Sequence, residues 1–203
     1  MDSAEIESYH LLNTVGLRSA GRISRLSEVL DYLPENILLN IDRAWDIFPQ
    51  LSAFLDNYPK ARMQVVIKAP LRAKDALEAL NAHPVKYMFM PICYSMQDVE
   101  EALSYADINV VGCELIAFSE EDELYQEENI AALHAKGLYT WVNAIQLGDW
   151  QRKPLYGPLD DDISVLKDPE LGWGGLFAKH IDVIQTDWPA LLYNYRRKKL
   201  GIE

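Results

Sequence analysis

The chain has 203 residues, 49% of them hydrophobic, a net charge of −12 and a pI near 4.7. That is enough apolar material for a sizeable core, which excludes disorder, and the acidity argues against bulk nucleic-acid binding, which needs a basic face. No stretch approaches the roughly 20 apolar residues of a membrane span, and the acidic N-terminus lacks the parts of a signal peptide, so the expected setting is soluble and cytoplasmic.

Residues 1–23 show weak periodicity, broken by Gly16 and Gly21, and read as a helical turn and a loop, a linker-like segment. An amphipathic helix follows over Ser24–Leu33, with Leu26, Val29, Leu30 and Leu33 as its stripe. From there a unit repeats. Strand Ile37–Ile41 precedes helix Trp45–Leu55, and strand Met63–Lys68 precedes helix Leu71–Leu80. Strand Tyr87–Met90 precedes, after Pro91, helix Met96–Tyr105; strand Val110–Ile116 precedes an acidic loop and helix Leu124–Ala135. Strand Leu138–Asn143 leads into a long loop from about Gln146 to Asp168, then helix Leu171–Lys179, strand Asp182–Asp187 and a last helix opened by Pro189.

Six apolar strands alternating with helices predict a parallel sheet covered by helices. With no glycine-rich nucleotide loop, the pattern favours a single α/β domain, an incomplete TIM-type (β/α) barrel of about six parallel strands with outer helices. A complete barrel has eight strands. The first and last strands therefore lack neighbours, and a second copy, a preceding segment or another chain is expected to close the gap. Cys93 and Cys113 lie in apolar runs and read as core residues.

In a parallel barrel the chemistry sits at the C-terminal strand ends. Those ends carry Asp42 and Arg43, Lys68, Cys93 or Tyr94, Glu114, Trp141 and Asn143 with Gln146 beyond, then Gln185, Asp187 and Trp188. Oxygen ligands there suit a hard cation such as Mg²⁺ or Ca²⁺, Lys68 and Arg43 suit an anion such as phosphate, and Trp141 and Trp188 suit an apolar wall. Each also has a plainer reading: Asp42 and Asp187 as helix caps, Glu114 as the ion-pair partner of Lys68, the tryptophans as packing. None of the four histidines falls at a strand end.

Three stretches together resemble the glycerophosphodiester phosphodiesterase family, a TIM-barrel family. Ser27-Glu28-Val29-Leu30 followed by Leu38-Leu39-Asn40-Ile41-Asp42 resembles its L-E-E-x-L, then N-I-E-x-K passage, Tyr139-Thr140-Trp141-Val142-Asn143 its W-T-V-N strand, and His180-Ile181-Asp182-Val183-Ile184-Gln185-Thr186-Asp187-Trp188-Pro189 its closing G-V-D-x-I-x-T-D-x-P. The segment Asp2-Ser3-Ala4-Glu5-Ile6 resembles its D-x-T-x-E-E-I linker. The resemblance implies metal-dependent hydrolysis of a phosphodiester to glycerol 3-phosphate and an alcohol. It places Asp42 at a metal-binding glutamate and Ala44 where the family has lysine, with Lys68 as the candidate catalytic substitute. Arg43, Glu114, Trp141, Asn143 and Trp188 are the candidate substrate contacts. The family's His-Arg-Gly, Glu-x-Asp and second histidine precede the matching linker, so hydrolysis is expected to be impaired in this chain. The alternative is a non-catalytic anion-binding or interaction barrel; a third reading is another small-molecule barrel enzyme using Lys68, Glu114 and Asp187.

Overall fold

A computed structural model describes residues 2–13, 15–145, 147 and 154–202. Contacts divide the chain into two units, Met1–Leu38 and Leu39–Glu203.

The first unit holds more structure than its weak periodicity predicts. Helix α1, Ser3–Ser8, is capped by Asp2, whose carboxylate accepts the Glu5 N–H at 2.8 Å. Strands β1, His10–Leu12, and β2, Arg18–Arg22, pair antiparallel. Their turn is built by Asn13, whose side-chain oxygen accepts the Val15 and Leu17 N–H groups, and by Gly16 in the left-handed region at φ 78°. Helix α2 spans Leu26–Tyr32, starting at the first residue of its stripe, two residues after the predicted start at Ser24. Glu28 accepts the Arg25 N–H at 2.8 Å. No described residue of this unit is buried.

The second unit is the predicted barrel portion: a curled, open parallel sheet forming a half-barrel, with flanking helices. Its strands are β3 (Leu39–Ile41), β4 (Val65–Pro70), β5 (Met88–Cys93), β6 (Asn109–Val110), β7 (Gly112–Leu115), β8 (Tyr139–Asn143) and β9 (Val183–Gln185). The order is β3-β4-β5-β7-β8-β9, with β6 beside the start of β5, so β3 and β9 form the two open edges. The helices are α3 (Phe48–Leu55, entered through a 3₁₀ turn at Trp45–Ile47), α4 (Ala61–Gln64), α5 (Lys74–Ala82), α6 (Met96–Ser104), α7 (Glu127–Ala135), α8 (Asp161–Leu166), α9 (Trp173–Ala178) and α10 (Pro189–Leu200). Among the described residues, no helix is long and apolar enough to cross a membrane.

Most boundaries shift by a few residues from the sequence reading, and three differences are larger in consequence. Met63 and Gln64 belong to α4, so β4 starts at Val65. Helix α8 lies inside the predicted long loop. Strand β5 continues through Pro91, where a proline was expected to end it. The partner strand accommodates that residue. Val111 donates its N–H to Phe89 on β5 but turns its carbonyl to the Tyr139 N–H on β8. Proline offers no N–H to that carbonyl, and the break between β6 and β7 falls there.

The period of two along each strand divides the sheet. Ile67, Phe89, Cys93, Cys113, Leu115 and Val142 are buried on one face, and Leu55, Leu77, Leu80, Leu133 and Leu176 from the helices are buried with them. Cys93 and Cys113 are free thiols in this layer. The other face carries Asp42, Lys68, Glu114, Asn143 and Gln185 toward the strand ends.

Candidate functional site

Five of the candidate side chains meet in one cluster of ion pairs and hydrogen bonds. Lys68 leaves β4 and its ammonium lies 2.8 Å from Glu114 Oε2 and 3.5 Å from Asp42 Oδ1. Strand β5 stands between β4 and β7, with Met90 beside Lys68 and Ile92 beside Glu114 in the register. The ion pair is therefore a chord over β5, across the concave face of the curled sheet. Two strand spacings are about 9.6 Å, a gap that only two long side chains close. Asn143, at the end of β8, donates its amide to Glu114 Oε1 at 2.7 Å. Trp141 reaches the same Asn143 through its indole N–H at 3.4 Å.

Burial is uneven within the cluster. The side chains of Lys68 and Glu114 are each 5% exposed, that of Asp42 is 47% exposed. Glu114 has one oxygen hydrogen-bonded by Asn143 and the other in ion-pair contact with Lys68 without a formed hydrogen bond, so the charge of Lys68 rather than a second donor compensates its burial. Asp42 faces water on one side. Beside it, Arg43 sits in the left-handed region at φ 55°, a conformation that costs a residue with a Cβ roughly 1–2 kcal/mol. That turn takes the chain from β3 into the 3₁₀ turn at Trp45.

These residues line a cleft of about 190 Å³ at the strand ends, with Gln185 and Tyr94 among its walls. Asp42, Arg43, Lys68, Glu114 and Asn143 all border it. Trp188 does not; it is exposed at the start of α10. Asp187 also lies off the cleft, its N–H donated to Asp161 at 2.8 Å rather than its side chain capping α10. Gln146 falls outside the described residues. The unit's histidines are engaged elsewhere: His83 pairs with Asp56, His134 with Asp182, and His180 makes the left-handed turn before β9.

Among the described residues, the cleft offers a hard cation few oxygen ligands of its own. Mg²⁺ and Ca²⁺ take six or more oxygens, several of which Mg²⁺ draws from water and from bound phosphate. Of the described cleft side chains, Glu114 has Oε1 on the Asn143 amide and Oε2 facing the Lys68 ammonium, and Asp42, Tyr94, Asn143 and Gln185 carry the other oxygens. Among the described residues, no group of three or more acidic, histidine or cysteine side chains is placed to hold a metal ion. The cations that border this cleft are the Lys68 ammonium and the Arg43 guanidinium, of which the Lys68 ammonium is the buried one.

Sequence reasoning missed Asp161. It is 2% exposed, and its carboxylate accepts the Trp173 indole N–H, the Thr186 hydroxyl and the Asp187 N–H, each at 2.8 Å. Its own N–H bonds to the Ala144 carbonyl after β8. It thereby ties the segments after β8 and β9, which carry Asn143 and Gln185, to α9.

Fold and site together define a parallel α/β half-barrel with a small, charge-paired mouth at its strand ends. Residues 89–196, more than half of the chain, match a family model described as a domain of unknown function, DUF4996, and the chain belongs to that family. The match includes Glu114, Trp141 and Asn143; Asp42, Arg43 and Lys68 lie before it. No curated protein matches the chain.

Proposed function

We propose that the mouth binds a phosphate ester of a small polyol, the ligand class implied by the resemblance to glycerophosphodiester phosphodiesterases. The observation that carries this reading is the buried ammonium of Lys68, held at the floor of the cleft by Glu114. Buried ion pairs contribute little net stability, so one placed at a parallel sheet's strand ends is better explained by a ligand. Lys68 and Arg43 present N–H donors to phosphate oxygens. The Gln185 amide on the cleft wall suits hydroxyl groups. Asp42 and Glu114 balance the two cations, so the anion is met by directed donors rather than by a positive field. A cleft of about 190 Å³ admits a ligand smaller than drug size.

Hydrolysis would need a metal and a proton-transfer pair beyond what the described mouth residues offer, so the reading favours binding over turnover. Calorimetry with glycerol 3-phosphate in EDTA tests it: binding that is lost in Lys68→Met is expected, and no binding to the wild type refutes it. Glycerophosphocholine turnover in Mg²⁺ or Ca²⁺, abolished by Asp42→Ala, would extend the reading to catalysis.

A further inference from the structure

Lys68 touches two carboxylates that are built differently. Glu114 is closed: it is buried, it is the nearer partner at 2.8 Å, and its second oxygen is fixed by the Asn143 amide at 2.7 Å. Asp42 is open: it is half-exposed, more distant at 3.5 Å, and carried at the end of an edge strand. We propose that Glu114 and Asn143 are positioning residues that aim the Lys68 ammonium at the cleft, and that Asp42 is the partner an incoming anion displaces.

The asymmetry follows from geometry. The chord over β5 leaves the ammonium able to turn about the end of its stem, and a lysine has several rotamers to lose. Glu114 removes that freedom on one side, and Asn143 keeps Glu114 from rotating with it. On the other side, the longer Asp42 contact is weakened by water. An anion entering the cleft then exchanges a solvated carboxylate for its own oxygens while the Glu114 contact is kept. Asp42 acts in the empty site as a stand-in anion and opposes the ligand by like charge.

A plain structural ion-pair cluster would behave otherwise, because removing either carboxylate would loosen Lys68 in the same direction. The inference predicts opposite signs. In EDTA, Asp42→Asn strengthens glycerol 3-phosphate binding by roughly five- to tenfold, the size of one charge–charge interaction a few ångströms away in water. Glu114→Gln and Asn143→Leu weaken it by about tenfold or more, the scale for disturbing a buried, hydrogen-bonded charge. The affinity arm rests on the phosphate-ester reading, so a second measurement stands apart from it. The Lys68 ¹⁵Nζ–H signal, assigned by its loss in Lys68→Met, persists in Asp42→Asn and broadens away in Glu114→Gln and Asn143→Leu. Asn143→Leu keeps both charges of the buried pair and so guards against a Glu114 variant that fails to fold. Affinity changes of the same sign for Asp42→Asn and Glu114→Gln overturn the inference, as does an unchanged ammonium signal in Asn143→Leu. Failure of the wild type to bind glycerol 3-phosphate removes the phosphate-ester reading instead, and the ammonium signal still decides the positioning.

Discussion

Replacing Asp161 by alanine removes one acceptor from three donors at once. The Trp173 indole is 1% exposed and has no route to water, so its N–H bears the full cost of an unmade buried bond, about 1–3 kcal/mol. The Thr186 hydroxyl can rotate toward another acceptor, and the Asp187 N–H belongs to an exposed residue that water can reach; together they add about as much again. The sum is about 4 kcal/mol, inside the range for breaking a buried charged network. At about 2–4 °C per kcal/mol for a chain of this size, the melting temperature falls by roughly 10 °C. Asp161→Asn keeps one acceptor oxygen and loses about half of that. Trp173→Phe, which removes a single donor and keeps the ring buried, costs about 1 kcal/mol. Urea unfolding of the three variants beside the wild type gives these values directly. A loss below about 1 kcal/mol for Asp161→Ala would show that the node does not hold the β8 and β9 ends together.

Gly112 lies two residues before Glu114 on the mouth face, and a Cβ there would stand 2.5 Å from the Tyr139 ring. Gly112→Ala is expected to destabilise by about 1–3 kcal/mol through overpacking, read by urea unfolding; a neutral result would mean that the ring moves freely. Asp182 sets an acid limit. Burial pulls its carboxyl up, but the Thr140 N–H at 2.8 Å, the Thr140 hydroxyl and His134 outweigh this and hold it below the usual carboxylate range. Its contribution to stability is therefore complete above the unfolded value of about 3.9 and fades as pH falls through the lower folded value. Asp182→Asn should flatten the loss of stability in that window, and an identical acid profile for variant and wild type would contradict the assignment.

What the sequence made legible was local and periodic. Short apolar runs each followed by a helical stripe predicted six parallel strands, the fourth of which the fold divides into β6 and β7, and a strand-end rule then collected Asp42, Lys68, Glu114 and Asn143, which the fold does bring together. What stayed hidden depended on partners far along the chain. Pro91 reads as a terminator unless it is known that Val111 directs its carbonyl to another strand. Asp161, between two other aspartates, reads as an acidic loop, although Asp160 caps the helix that begins there, its side chain accepting the Ile163 N–H. The buried indole of Trp173 was the signal that an acceptor was needed. The hairpin of residues 10–22 is set by the Asn13 turn rather than by apolar alternation, since its faces are largely exposed.

A steric variant separates the place of the site from its charges. Ile92 stands beside Glu114 in the register, under the chord from Lys68, and borders the cleft. Ile92→Trp puts an indole into a space of about 190 Å³ while leaving every ionic partner in place. The expected cost in stability is that of an overpacked position, about 1–3 kcal/mol, less where the open side of the cleft lets the ring swing out. Glycerol 3-phosphate binding should fall by more than about tenfold, with the Lys68 ammonium signal retained. The unit has a larger cavity, about 430 Å³, bordered by Trp45, Asp46, Arg72 and Lys74. Lys74 there is tied to Glu101 on the neighbouring helix, and Arg72 is exposed, so that cavity offers no buried, pre-aimed cation. Volume alone would favour it, whereas directed donors favour the smaller cleft. Retention of affinity in Ile92→Trp together with its loss in Arg72→Ala would move the ligand to the larger cavity and refute the argument from Lys68.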